Sequence, residues 1–447
     1  MKMLYLKNSL ILSIIFLLIT ACQPHEKQQD VENSTKESPP NIILIMADDL
    51  GYECIGSYGS TSYHTPNIDK IASNGMRFEN CHSQPICTPS RVQIMTGQYN
   101  VRNYTKFGEL DRTQVSFGNL FKNTGYKTAI AGKWQLGKGQ DSPQHFGFDK
   151  SCVWQQSLDR MDSLGQDTRF SNPVIEFNGK VRRFQNGEYG PEIVSDFLCD
   201  FIEDNQEGPF FAYYPMILTH CPFVPTPDSK EWDPQSFGSL DYKGDTVFFK
   251  DMVAYMDKIV GKIVTKVEEL GLSDNTLILF TGDNGTDEPV VSLINGVRYP
   301  GGKGRTTDNG THVPLIASWP GTINKNQISS DIVDFSDFLP TISEAAGINI
   351  PSELPIDGIS FFPQLKGEEG IKREWIYCWY SKSGKLKKLK EFARNKEYKL
   401  YTTGKFYNVM DDMFEEEPLS VDSLSENQKA IHKMLSEALA KYKNVRN

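Results

Sequence analysis

Apolar residues in this chain gather into short continuous runs separated by stretches with helical periodicity. The sharpest run, Asn41–Ala47, is apolar at every position after the first and stops at Asp48-Asp49. That is the pattern of a strand buried on both faces of a parallel sheet. Runs at 128–131, 209–214, 276–281 and 314–318 read the same way. Between them lie helical patterns, the clearest over 251–270, where Val253, Met256, Val260, Ile263, Val264 and Val267 share one face and Gly271 ends the helix. Strands alternating with helices predict an α/β domain with a mainly parallel sheet sandwiched by helices. Beyond Gly347 the runs shorten, with strand-like pieces at 374–380, 398–402 and 406–409. A last amphipathic helix starts at Ser425 with Gln428 placed for a capping box. Its stripe of Ile431, Met434, Leu435, Ala438 and Tyr442 is expected to pack on the main domain. The lysine-rich stretch 385–390 reads as a solvated turn.

The N-terminus breaks this pattern. Lys2 and Lys7 precede one apolar run at 10–19, too short to span a bilayer and suited to a signal-peptide core. It ends in Leu18-Ile19-Thr20-Ala21-Cys22, which resembles a bacterial lipobox. The expectation is a signal peptide over 1–21, Cys22 as lipid anchor and a flexible polar tether over 22–40, with a plain secretory signal as the alternative. Residues 41–346 are then expected to form the main domain and 347–447 a C-terminal subdomain. The protein is expected to be exported and lipid-anchored to the cell envelope, on either face of the outer membrane.

Composition narrows the class. With 38% hydrophobic and 23% charged residues among 447, the chain suits a globular domain, and a mean hydropathy of -0.44 excludes a polytopic membrane protein. The net charge of -10 opposes nucleic-acid binding, so an anionic ligand needs a local cationic pocket. Of eight cysteines, Cys54, Cys81, Cys152, Cys199, Cys221 and Cys378 are widely spaced without any C-x-x-C. They read as buried hydrophobes, not a zinc site or a disulfide framework.

Ligands of such sheets gather beyond the carboxyl ends of the strands. There the chain places Asp48 and Asp49, then Gly132-Lys133-Trp134, then Thr219-His220, then Asp283-Asn284-Gly285. Asp48, Asp49, Asp283 and Asn284 offer an all-oxygen ligand set that suits calcium or magnesium and not zinc. Arg91, Lys133 and Lys303, the last in Gly301-Gly302-Lys303-Gly304, supply fixed positive charge. Tyr58, Tyr63, Trp154 and Tyr299 lie near the strand-end loops and read as packing residues, with stacking on a ligand ring as the alternative. His64 and His82 flank the segment around Cys87 and are candidate pocket residues with simple packing as the alternative, and His145 reads as structural.

Cys87-Thr88-Pro89-Ser90-Arg91 is a C-x-P-x-R pattern. With the strand-end residues it resembles the type I, formylglycine-dependent sulfatases of the alkaline phosphatase superfamily. The resemblance runs from Asn41 to Gly51, through Thr65 to Phe78, Cys87 to Gly97, Thr276 to Gly285 and Gly302 to Pro314, and ends in Lys405 to Leu419. It implies an alkaline phosphatase-like sheet, with a smaller C-terminal α+β subdomain having an antiparallel sheet. It also implies that a formylglycine-generating or anaerobic maturation enzyme oxidises Cys87 to the nucleophile, and that Asp48, Asp49, Cys87, Asp283 and Asn284 surround one calcium ion. Arg91 would steady the nucleophile, Lys133 and Lys303 would grip the sulfate, and His220 would donate a proton to the leaving oxygen.

Two positions depart from the family pattern. Gln135 stands where the family usually has histidine, and His312 where it often has arginine. Gln135 cannot take a proton, so it is expected only to orient the nucleophile, with His312 or a water on Asp283 as the base. The substrate expected is a sulfated oligo- or polysaccharide of algal type, such as ulvan or carrageenan. Two rivals stand beside it. One is a phosphate or phosphonate ester hydrolase, suggested by Asp308-x-x-x-His312 but lacking an Asp-His dipeptide. The other is a glycan-binding lipoprotein without turnover.

Overall fold

The computed structural model describes residues 38–446; the expected signal peptide, Cys22 and most of the tether lie outside them. The main sheet has ten strands. In chain order these are β1 (Asn41–Ala47), β2 (Met76–His82), β3 (Lys127–Lys133), β4 (Lys150–Trp154), β5 (Val174–Phe177), β6 (Lys180–Arg183), β7 (Phe210–Pro215) and β8 (Thr276–Gly282). A separate hairpin, β9 (Val291–Ile294) and β10 (Val297–Pro300), precedes β11 (His312–Ser318) and β12 (Gln327–Asp334). The sheet order is β12-β2-β11-β8-β1-β7-β3-β4-β5-β6. The central block β8-β1-β7-β3-β4 is parallel.

All five expected runs are strands, with one orientation corrected: β11 is antiparallel to both β8 and β2. Periodicity reports burial and not direction, so the run at 314–318 looked like its parallel neighbours. β1 shows why the pattern is continuous. Ile42, Leu44 and Met46 enter the core on one face of the sheet, while Ile43, Ile45 and Ala47 enter the core on the other. The expected central helix spans Phe249–Glu269 and packs on the second of these cores. Gly271 takes the left-handed conformation just past its end.

The C-terminal part carries an antiparallel sheet of β13 (Ile376–Tyr380), β14 (Lys390–Arg394), β15 (Tyr398–Tyr401) and β16 (Phe406–Asn408). The last helix, Glu426–Tyr442, begins with the expected Ser425–Gln428 capping box. Its stripe packs mainly on this small sheet, through Leu435 and Ala438 against Ala393, Leu400 and Phe406. Tyr442, with Leu439, reaches the main core, stacking on Tyr377 at 4.4 Å between ring centroids. The seven cysteines among the described residues are free and buried, as expected for small core residues.

Strand register brings the chemistry together. Ala47 of β1 pairs with Gly282 of β8, so Asp48 and Asp283 emerge side by side. The Asp48 backbone N–H donates to Leu218 O and its carbonyl accepts from Thr219 N–H, both at 2.8 Å, tying the β7 end and His220 to the same point. Gly132 in β3 has φ 118°, and a Cβ there would sit 1.9 Å from the Pro215 carbonyl oxygen. Only glycine lets β3 pass this close to β7 and deliver Lys133.

Candidate active site

Helix α1 (Pro66–Ser73) and β2 lead into helix α2 (Cys87–Thr96), which is buried at every residue and opens with Cys87. The Cys87 thiol donates to Gln135 Oε1 at 3.0 Å, and the Thr88 hydroxyl donates to the same oxygen at 3.3 Å. Burial pushes the Cys87 thiol above its ordinary range, with Lys133 opposing. It is therefore protonated and a poor nucleophile in its unmodified form. One turn on, the Arg91 guanidinium donates to the Lys133 carbonyl at 3.0 Å and to Asp283 Oδ2 at 3.1 Å, with Asp48 Oδ1 at 3.8 Å.

Three buried carboxylates sit beneath these groups. Lys133 Nζ donates to both oxygens of Asp48, at 2.7 and 3.0 Å. Lys303 Nζ is held between Asp49 Oδ2 and His220 Nε2, the latter at 3.0 Å. Burial would raise Asp48, but Lys133, Arg91 and Lys303 hold it below the usual carboxylate range. At Asp49 burial outweighs Lys303 and lifts the carboxyl. Asp283 is pushed up to about 8 by burial and by Asp48 beside it.

These residues fit a hard divalent cation. Asp48, Cys87 and Asp283 present ligand atoms within 4.8 Å of one another, as do Asp48, Asp49 and His220. Asn284 donates its amide N–H to Asp49 Oδ1 at 2.9 Å and leaves its Oδ1 buried without a partner among the described residues. An orphaned amide oxygen beside crowded carboxylates is a donor set for calcium or magnesium.

Above this floor opens a cleft of about 350 Å³ lined by Cys87, Lys133, Gln135, His220 and Lys303, five of the residues the sequence singles out. Asp48, Asp49, Arg91, Asp283 and Asn284 lie buried below it. His220 Nδ1 is 2.5 Å from the Cys221 carbonyl and 2.8 Å from the Arg169 guanidinium. Lys303 can only donate, so Nε2 turns a lone pair to it, while Nδ1 lies between the Arg169 guanidinium, which also can only donate, and the Cys221 carbonyl, which can only accept. Burial, with Lys303, Lys133 and Arg169 nearby, pushes His220 well below the ordinary imidazole range and keeps it neutral.

Two expectations need correction. His312 does not line the cleft: its Nδ1 pairs with Asp308 Oδ2 at 3.0 Å and its Nε2 with the Glu79 carbonyl at 2.9 Å. Held by β11 against β2, with both nitrogens taken, it is not placed as a base for Cys87 chemistry. His64 is exposed in the loop before α1 and is not among the lining residues. Of the aromatic candidates, Trp154 lines the cleft, while Tyr58, Tyr63 and Tyr299 are buried away from it. His82 is buried beside His312, and His145 Nε2 meets the Arg112 carbonyl at 2.7 Å, a structural contact.

Sequence reasoning missed Arg169. Its guanidinium donates to both oxygens of Asp167, at 2.8 and 2.7 Å, and lies 4.3 Å from the Trp154 ring. The pair sits in an irregular segment where no periodicity marks it. Its one local signal is the spacing in Asp167-Thr168-Arg169.

Cations over buried carboxylates at the carboxyl edge of a mainly parallel sheet define an anionic-ester hydrolase of the alkaline phosphatase-like fold. The family described as Sulfatase matches residues 40–348, and the C-terminal family of N-sulphoglucosamine sulphohydrolase matches 303–445. N-acetylgalactosamine-6-sulfatase of Rattus norvegicus is 31% identical over 375 residues, covering 76% of this chain and 68% of that protein. Arylsulfatase A of Bos taurus is 31% identical over 374 residues, covering 76% and 71%. The crystal structure of Ps i-CgsB superposes with a TM-score of 0.76 at 25% identity, covering 92% of this chain and 94% of that one. A second structure of it, in complex with k-i-k-neocarrahexaose, gives 0.75 at 24%, covering 92% and 94%. The chain belongs to the sulfatase family and is a sulfuric ester hydrolase.

Proposed function

We propose that the protein removes sulfate ester groups from a sulfated carbohydrate, using a formylglycine made from Cys87 and one calcium ion. The observation that carries this reading is the position of Cys87, which lines the cleft together with Lys133 and Lys303 and has its thiol within 4.8 Å of carboxylate oxygens of Asp48 and Asp283. When present, the oxidised residue supplies an oxygen nucleophile and the calcium ion supplies positive charge. Asp48, Asp49, Asp283 and Asn284 would hold the ion. Lys133 and Lys303 grip the sulfate oxygens, and Arg91 fixes the segment that carries Cys87 by binding the Lys133 carbonyl and Asp283. Gln135 orients the side chain at position 87 through the oxygen that already accepts from Cys87 and Thr88. His220, held by Lys303 and the Cys221 carbonyl, would serve the leaving oxygen at Nε2 only once that nitrogen has taken a proton, since the buried ring rests neutral.

The carbohydrate assignment draws support from the relative named for N-acetylgalactosamine 6-sulfate and from a like fold crystallised with a neocarrahexaose. A carrageenan-like or ulvan-like source fits a chain whose first residues suit export and lipidation at Cys22, on the cell envelope. The phosphatase alternative loses its second metal cluster, because Asp308 and His312 bind each other, Arg394 and a backbone carbonyl.

The test is peptide mass spectrometry of Cys87 in protein from its native host. A mass loss matching thiol-to-aldehyde conversion is expected. An intact thiol in active protein would overturn the mechanism.

A further inference from the structure

The cleft carries more positive charge than one sulfate requires. Besides Lys133 and Lys303 its wall includes Arg160, Arg169 and Lys382, and among the described residues no carboxylate lines it, in a chain of net charge -10. Lys133, Lys303 and Arg169 are each matched to a buried aspartate, Asp48, Asp49 and Asp167. Among the described residues Arg160 and Lys382 form no ion pair, and their side-chain partners are aromatic rings.

Each is instead laid over an aromatic ring at the mouth. The Arg160 guanidinium lies 3.9 Å from the Tyr242 ring centroid, and Lys382 Nζ lies 5.3 Å from that of Phe107. An aromatic face holds a cation in place without neutralising it. The backbones are also anchored. The Arg160 carbonyl accepts from the Thr168 N–H at 3.0 Å and its hydroxyl at 3.1 Å, and the Lys382 carbonyl accepts from the Tyr104 hydroxyl at 2.9 Å.

We propose that Arg160 and Lys382 form a second anion-binding subsite, so that the substrate is a saccharide bearing another sulfate or a carboxylate close to the sulfate removed. This rests on the carbohydrate reading above. The neighbouring cavity sets how close the second anion lies. It shares Trp154 and Gln155 with the cleft but is lined by Asp159, Asp162 and Glu176 against a single Arg183. A densely charged chain is repelled there, so the second anion belongs to the same sugar or the one joined to it.

The test uses full-length Cys87→Ala protein, which binds without turnover, in calorimetric titrations at fixed salt. The probes are a hexose monosulfate, the matching hexose disulfate, and a disaccharide with one sulfate and one uronate carboxylate. The disulfate is expected to bind about tenfold more tightly than the monosulfate, as a charge-assisted contact predicts. Combining Arg160→Gln with Lys382→Gln should bring that ratio towards one, and Arg160→Lys should keep most of it. The uronate disaccharide separates the two anions: affinity like the disulfate means carboxylate is accepted, and affinity like the monosulfate means sulfate is selected.

Equal affinities in the unsubstituted site, or a ratio indifferent to the substitutions, would overturn the subsite and leave the carbohydrate reading standing. If no saccharide binds while matured wild-type protein hydrolyses 4-nitrophenyl sulfate, the carbohydrate reading falls and the subsite falls with it.

Discussion

Glu53 offers a direct measure of how the site's scaffold is held. It lies fully buried just after the Asp48-Asp49 turn, and its Oε1 accepts from the Thr286 hydroxyl at 2.5 Å. The same hydroxyl accepts the Gly51 N–H at 3.1 Å, so one contact ties the loop after β1 to the loop after β8. Glu53 Oε2 has no partner among the described residues. Burial pushes the carboxyl up from 4.5 to about 7, with Thr286 opposing. A folded-state pKa raised above the unfolded value contributes stability that is full below pH 4.5 and is lost as pH rises through about 7. At about 1.4 kcal/mol per pKa unit, the change across that window is about 3 kcal/mol. Glu53→Gln keeps the shape and the acceptor for Thr286 but cannot ionise. Urea unfolding of both proteins at a series of pH values from acid to mildly alkaline is the assay. Wild type should lose about 3 kcal/mol relative to the variant across the window. Parallel stability curves would mean that Glu53 titrates as an exposed carboxyl does, and the account of a neutral buried acid would fail.

Lys303→Met removes a donor aimed into the cleft and should lower kcat/KM on an aryl sulfate by about 10²–10³-fold; a change under threefold would remove Lys303 from sulfate binding. Chelator-treated protein should gain thermal stability when calcium is returned, because Asp48, Asp49, Asp283 and Asn284 bind only when folded together; a flat melting temperature would refute the ligand set. Arg169→Met strands the buried Asp167 carboxylate and should cost about 3–5 kcal/mol, most of it regained on adding Asp167→Asn; an unchanged urea midpoint in the single variant would refute this. Gly132→Ala drives a Cβ to 1.9 Å from the Pro215 carbonyl and should abolish soluble expression, so a folded, active variant would contradict the close approach of β3 to β7.

Four residues of the site were legible because each ends or follows a continuous apolar strand, whereas Cys87 and Arg91, on α2, were legible only from the C-x-P-x-R pattern. Asp48, Lys133, His220 and Asp283 emerge from β1, β3, β7 and β8, whose burial on both faces writes an unbroken hydrophobic run into the sequence. Strands that pack on one side left weaker traces. In β2, Arg77, Glu79 and Asn80 interrupt the buried residues, and in β6 all four residues are exposed, so neither formed a readable run. The wall of the cleft was less legible still. Arg169, Arg160 and Lys382 sit in irregular segments outside any strand, and what makes them a wall is contact with residues remote in sequence: His220 with Arg169, Tyr242 with Arg160 and Phe107 with Lys382. The same division explains the failed role of His312. Its neighbour Val313 continues a buried strand, and the Asp308 contact is the local i,i+4 pair that the spacing already showed, but the pairing of β11 with β2 directs the other nitrogen to the Glu79 carbonyl, a consequence of register that no local pattern encodes. Chemistry common to the family therefore rises from the strands, whereas discrimination among substrates is assembled by tertiary contacts between loops, which is where the second anion-binding subsite lies.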